Sequence, residues 1–198
     1  MESIFISPTP VPAANLPDRI HYACGRNILT GWLNVDGFDK SFPNGTADSA
    51  VARLATHIVQ MDLAEKHPFP SNSFRFGYSE DFLEHLAQEQ SIVFLTECFR
   101  TFAEGGILRL SFPGLRGVLR RHFRGTDYQS AAVGVQEAYT AWNHEHFYCE
   151  ESIRIVAEHI GFSKVRFCQM GVSEHAELRN LETRPSQRDL NVIVELTK

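Results

Sequence analysis

The chain has 198 residues, with 19 Lys+Arg against 24 Asp+Glu for a formal charge of −5, and 43% hydrophobic and 22% charged residues. That length fits one domain and excludes a second full core, while the composition excludes a disordered or fibrous chain. The acidic balance argues against binding nucleic acid by unspecific attraction to phosphates, and no stretch approaches the roughly 18–20 apolar residues that span a bilayer.

Along the chain, residues 1–18 are expected to be a flexible Pro-rich segment, and they lack the basic start and long apolar run expected of a secretory signal. Cys24, Cys98, Cys149 and Cys168 lie far apart with no Cys-x-x-Cys pair, which fits a reduced, cytoplasmic protein. Short apolar runs predict strands over 20–23, 32–35, 57–61, 74–78, 107–112, 164–168 and 190–196. Helical spacing predicts helices over 47–56, after a Ser79-Glu80-Asp81 cap, over 88–102 and over 150–160. The second carries Phe82, Leu83 and Leu86. The third has an Ile92, Leu95, Phe99 and Phe102 stripe and closes at Gly105-Gly106. The last stops at Gly161, where a positive φ ends the helix. Residues 115–148 read as irregular or helical.

Strands alternating with helices predict an α/β fold with a mostly parallel sheet, whose ligands sit beyond the carboxyl ends of the strands. Those ends carry Ala23-Cys24-Gly25, Asp36, Asp62 and Ser79-Glu80. Gly25 lets the backbone turn or approach a ligand closely. Asp36 can accept two hydrogen bonds from a ribose diol. Asp62 can accept one from an exocyclic amine, with Leu63 packing on a purine. Each aspartate is also an ordinary turn former or helix cap. The set carries more weight than any member: a glycine turn, then an acid, then another acid.

From His21 through Asp36 the chain reads His-Tyr-Ala-Cys-Gly-Arg-Asn-Ile-Leu-Thr-Gly-Trp-Leu-Asn-Val-Asp. It resembles the opening of class I S-adenosylmethionine-dependent methyltransferases, and more closely a compact bacterial group with a Gly-Cys-Gly turn. Met61-Asp62-Leu63, Tyr78-Ser79-Glu80, Leu83-Glu84-His85-Leu86, Gly105-Gly106-Ile107-Leu108-Arg109-Leu110 and Leu178-Arg179-Asn180-Leu181-Glu182 extend the likeness across residues 19–198.

The resemblance implies one Rossmann-like methyltransferase domain over 19–198. Its seven-stranded sheet would run 3-2-1-4-5-7-6 with the last strand antiparallel and helices on both faces. It implies S-adenosyl-L-methionine as cofactor: methionine moiety over Ala23, Cys24 and Gly25, ribose on Asp36, adenine near Asp62 and Leu63. Ser79, Glu80 and His85 would line the pocket near the sulfonium. Two departures stand out. Ala23 replaces the usual first glycine, and only seven residues separate Gly25 from Leu33 where a parallel crossover normally takes a dozen or more. The first crossover is therefore expected to be a loop.

Residues 115–148 are expected to form an insertion that walls the acceptor site. There Asn143-His144-Glu145-His146-Phe147-Tyr148 concentrates the groups that serve methyl transfer as base or substrate contact. His144 and His146 are the catalytic candidates, on one side of an extended segment. They also read as surface or capping histidines, and no third ligand at metal spacing accompanies them, so no metal is expected. Arg116, Arg120, Arg121 and Arg124 read as a solvated helix face or as a site for an acidic group. Cys24 reads as a packing residue.

The expectation is methyl transfer to a small-molecule or sugar-like acceptor, with neither nucleic acid nor membrane as partner. A homodimer stands open. The alternative is a cofactor-binding scaffold that has lost methyl transfer. A nicotinamide dehydrogenase shares the glycine turn and the acid but would carry Gly-x-Gly-x-x-Gly, which is missing.

Overall fold

The first two strands are short and run side by side: β1, Arg19–Tyr22, pairs in parallel with β2, Leu33–Asp36. The computed structural model describes residues 16–37 and 58–198. The expected helix over 47–56 and most of the Pro-rich segment lie outside the described residues. β3, Ile58–Gln60, flanks β2, and β4, Phe74–Glu80, flanks β1, both in parallel. β5, Phe102–Pro113, pairs in parallel with β4. β6, Lys164–Phe167, and β5 both run antiparallel to β7, Asn191–Thr197. The order is β3-β2-β1-β4-β5-β7-β6, as the resemblance implies. β5 lies mid-sheet and is buried from Gly106 to Pro113, as a strand covered on both faces is.

The first crossover is a loop, and the side chain of Asn34 holds it. Its Nδ2 donates to the Leu29 and Trp32 carbonyls at 3.0 and 3.1 Å, and its Oδ1 accepts from the Leu29 amide at 3.0 Å. The same Oδ1 lies 3.3 Å from Nδ1 of His21. One amide thus satisfies the backbone groups a helix would have paired internally.

Three of the expected helical features differ. Ser79 and Glu80 belong to β4 rather than capping a helix. Asp81, at φ 52°, donates its amide to the Ser111 carbonyl at 2.8 Å, so sheet pairing wins over the cap. Only a single 3-10 turn, Leu83–His85, follows. α1, Gln88–Thr101, buries Ser91, Phe94, Leu95, Cys98 and Thr101, while Ile92 is exposed. The inward face includes small polar residues with their own partners: Ser91 Oγ donates to the Gln88 carbonyl at 2.6 Å and meets the Tyr148 hydroxyl at 2.7 Å. Gly105-Gly106 does not close this helix. β5 begins at Phe102, opposite Phe74, and the pair lies inside the strand, where the register with β4 shifts between Phe74 and Phe76. Glycine at φ 73° absorbs that bulge.

Residues 115–148 contain α2, Leu115–His122, α3, Tyr128–Val135, and a π-turn, Gln136–Thr140. Val118, Ala138, Phe147 and Leu190 make a small core for this part, separate from the main one. α4, Glu150–Ile160, buries Ile153 and Ala157 and ends at Gly161 with φ 120°, as expected. Among the described residues, no helix is long and apolar enough to cross a membrane.

Candidate functional site

The turn after β1 is bracketed by two left-handed residues, Ala23 and Gly25, each at φ 50°. The Cys24 amide donates to the Val35 carbonyl at 3.1 Å, and the Asn27 amide to the Cys24 carbonyl at 2.8 Å. The turn is thereby pinned to β2. The Gly25 amide donates to Oδ2 of Asp36 at 3.1 Å, and the Gly37 amide to Oδ1 at 2.9 Å. A Cβ on Gly25 would meet no atom within 4 Å, so the backbone there faces open space. Ala23 carries its methyl in the left-handed region at a cost of roughly 1–2 kcal/mol. Burial, and then the charge of Asp36, push the Cys24 thiol up to about 12. Cys24 is a buried packing residue, as expected.

At the end of β3 the Met61 amide donates to the Asp36 carbonyl at 3.0 Å, so the second and third strand ends meet. Asp62 is exposed, and its Oδ1 accepts from the Ala64 amide at 2.8 Å; Leu63 is buried in the main core. The loop beyond is held from α1: the His67 amide donates to Glu97 at 2.9 Å, and Arg100 donates to the His67 and Phe69 carbonyls, each at 2.9 Å.

Ser79 stands beside Tyr22 of β1 and Leu110 of β5, at the centre of the sheet. It is buried, and its hydroxyl has no hydrogen-bond partner among the described residues. Glu80 is occupied elsewhere, accepting from the amide of Thr183 at 3.0 Å and from its hydroxyl at 2.7 Å. That carboxylate fastens the β6–β7 connection to the end of β4.

The two histidine candidates take different partners. Nδ1 of His144 lies 2.7 Å from the Ala138 carbonyl, and its ring meets His85 at 4.9 Å between centroids. The ring of His146 instead stands edge-on to Tyr148 at 4.5 Å, with Nε2 buried and unpartnered among the described residues. Burial lowers the pKa of both. His85 itself is exposed, with Nδ1 3.3 Å from the Asn143 carbonyl. Glu84 is buried beneath these groups, and its backbone carbonyl accepts from the Glu145 amide at 2.8 Å and the His146 amide at 3.3 Å. The histidine segment is therefore sewn to the turn after β4.

Arg116, Arg120 and Arg124 are exposed, while Arg121 donates to the Ser186 carbonyl at 2.8 Å. The charge that sequence reading passed over is Arg109, wholly buried in β5. It donates to Glu182 at 2.6 Å and to Glu195 at 2.7 Å, and to the Val172 and Gln169 carbonyls. Oε2 of Glu182 accepts from the Gly171 amide at 2.8 Å. The set locks the β6–β7 connection, and through Thr183 it supports Glu80.

These ends fit an adenosyl sulfonium on one specific ground: a serine hydroxyl, buried and without a partner among the described residues, ends the strand next to the one that leads into the open glycine turn.

Residues 20–110 match the family model of a methyltransferase domain. No curated protein matches the chain. Among solved structures, an S-adenosylmethionine-dependent methyltransferase from Archaeoglobus fulgidus is similar at TM-score 0.56 and 13% identity, covering 93% of this chain and 87% of that one. A phosphoethanolamine N-methyltransferase from Haemonchus contortus, in complex with S-adenosyl-L-methionine, is similar at 0.55 and 14%, covering 92% and 49%. A possible exported protein from Bordetella parapertussis is similar at 0.53 and 14%, covering 92% and 62%. The chain thus spans about half to three-fifths of the length of the latter two. Residues 20–110 thus match a methyltransferase domain, and the seven-stranded sheet has the order that the resemblance to class I S-adenosylmethionine-dependent methyltransferases implies.

Proposed function

We propose that this protein transfers a methyl group from S-adenosylmethionine to a small-molecule or sugar-like acceptor. The observation that supports the reading most is that Gly25, Asp36 and the Ser79 hydroxyl, which has no partner among the described residues, lie at the carboxyl ends of neighbouring strands. In it, the turn at Ala23, Cys24 and Gly25 holds the methionine end, Asp36 the ribose, and Asp62 with Leu63 the adenine. When bound, the cofactor supplies an electrophilic methyl for in-line displacement.

The chain's own residues then have to align the acceptor and take a proton. Alignment of reacting atoms at about 3–3.5 Å is worth several kcal/mol of barrier. His146 is the base in this reading. Burial lowers its pKa and so favours the neutral imidazole, and Nε2 has no partner among the described residues. Its segment, tied to Glu84, builds the wall where the acceptor sits. Glu80 serves as the strut that holds the far loop in place, one step removed from the ligand.

The test is methyl transfer from radiolabelled cofactor to panels of hydroxyl and amine acceptors. Labelled product, with turnover lost in His146→Gln and cofactor affinity retained, supports the reading. Cofactor binding without transfer to any panel would instead favour a scaffold that has lost the chemistry.

A further inference from the structure

Glu84 and His85 lie just after β4, and His144 arrives from the insertion some sixty residues later. One carboxylate oxygen and one nitrogen of each ring lie within 4.8 Å of one another. We propose that Glu84, His85 and His144 bind one divalent transition-metal ion through two imidazoles and a carboxylate.

The hydrogen bonds around the trio set the tautomers a metal requires. A ring nitrogen facing a carbonyl acts as donor. Nδ1 of His85 faces the Asn143 carbonyl, and Nδ1 of His144 faces the Ala138 carbonyl. Each ring therefore carries its lone pair on Nε2. Backbone carbonyls behind ligating imidazoles fix ring orientation in this way in metal sites generally. Asn143, at φ 55°, delivers both the carbonyl behind His85 and the start of the His144 segment.

The second observation is independent of the histidines. The Glu84 side chain is 1% exposed, yet its Oε2 has no hydrogen-bond partner among the described residues. Its Oε1 lies 4.0 Å from Nε2 of His85. A buried, unpartnered carboxylate is costly, and a cation beside it removes that cost. Ligand atoms around a tetrahedral ion with bonds of about 2.0–2.1 Å sit about 3.3 Å apart. The set therefore closes by roughly an ångström on binding, a movement the exposed ring of His85 can make.

Mixed imidazole and carboxylate donors favour Zn2+, Co2+ or Fe2+ over Mg2+ and Ca2+. Three protein ligands leave a coordination position open. Use of that position to polarise an acceptor hydroxyl rests on the methyl-transfer reading above; metal uptake does not.

The experiment titrates chelator-treated, full-length protein with Co2+ and follows its visible d–d absorption, without S-adenosylmethionine. The expected result is saturation at one equivalent, displacement by Zn2+, and affinity in Glu84→Gln and His144→Gln lowered by more than the roughly 10–100-fold seen for lost outer-shell partners. His159→Gln, on the exposed face of α4, should leave uptake unchanged. Circular dichroism establishes that each variant folds, and His85→Gln, at an exposed position, replaces any that does not. Absence of d–d bands in the parent protein, or bands of equal strength in the folded variants, would overturn the proposal. Failure here leaves cofactor binding untouched, and failure of cofactor binding leaves metal uptake readable.

Discussion

The amide of Gly25 donates to the carboxylate of Asp36 across 3.1 Å, joining the turn after β1 to the end of β2. Oδ1 of the same carboxylate accepts from Gly37, and the Asp36 carbonyl accepts from Met61. Asp36 is therefore the point where three strand ends are fixed relative to one another. An acid that is already held requires less ordering when a ligand arrives.

Ala23 occupies a backbone conformation at φ 50° that costs an L-residue with a Cβ. Replacing it with glycine relieves that strain and adds entropy to the unfolded chain, opposing effects of similar size. Ala23→Gly is expected to change stability by no more than about 1 kcal/mol, toward greater stability, by urea denaturation. A loss of more than that would show that the methyl makes a packing contribution that outweighs its strain.

His21 and His67 are 2% and 1% exposed, and burial holds each at about 4, below the ordinary 6.5. Between these values the unfolded chain binds protons that the folded chain refuses, so stability falls as pH drops from 6.5 toward 4. Each site is worth on the order of 3 kcal/mol over that window. Melting temperature should fall steeply from pH 6.5 to 4.5, and less steeply in His67→Gln. An unchanged slope in that variant would remove His67 from the account.

Arg109 is enclosed by Glu182 and Glu195 with no exposed side-chain surface. Arg109→Met leaves two buried carboxylates without their cation and two carbonyls without their donor. The expected destabilisation is about 3–5 kcal/mol, read from denaturant midpoints. A loss under 1 kcal/mol would mean that water replaces the guanidinium.

How much was legible in the chain follows from where each signal lies. The glycine turn and the acids at strand ends are local, so Gly25, Asp36 and Asp62 could be placed from their neighbours alone, and the resemblance supplied the strand order. The inner face of α1 was misread because Ser91, Cys98 and Thr101 carry no strong apolar signal, and the Tyr148 hydroxyl that meets Ser91 lies 57 positions further along the chain. Gly105-Gly106 looked like a stop because a bulge depends on the partner strand. The pairs made by Arg109 join residues 73 and 86 apart, beyond any periodicity. His144 was read beside His146 by spacing, yet its ring meets His85, 59 positions earlier.

Calorimetric titration with S-adenosylmethionine, on the parent chain and on Asp36→Ala, bears most directly on the central claim. The account predicts one-to-one binding to the parent and a loss of about 1–3 kcal/mol, roughly 5- to 150-fold in affinity, in the variant. Heat absent from the parent at millimolar cofactor, or equal affinity in a variant whose melting temperature is unchanged, would contradict it.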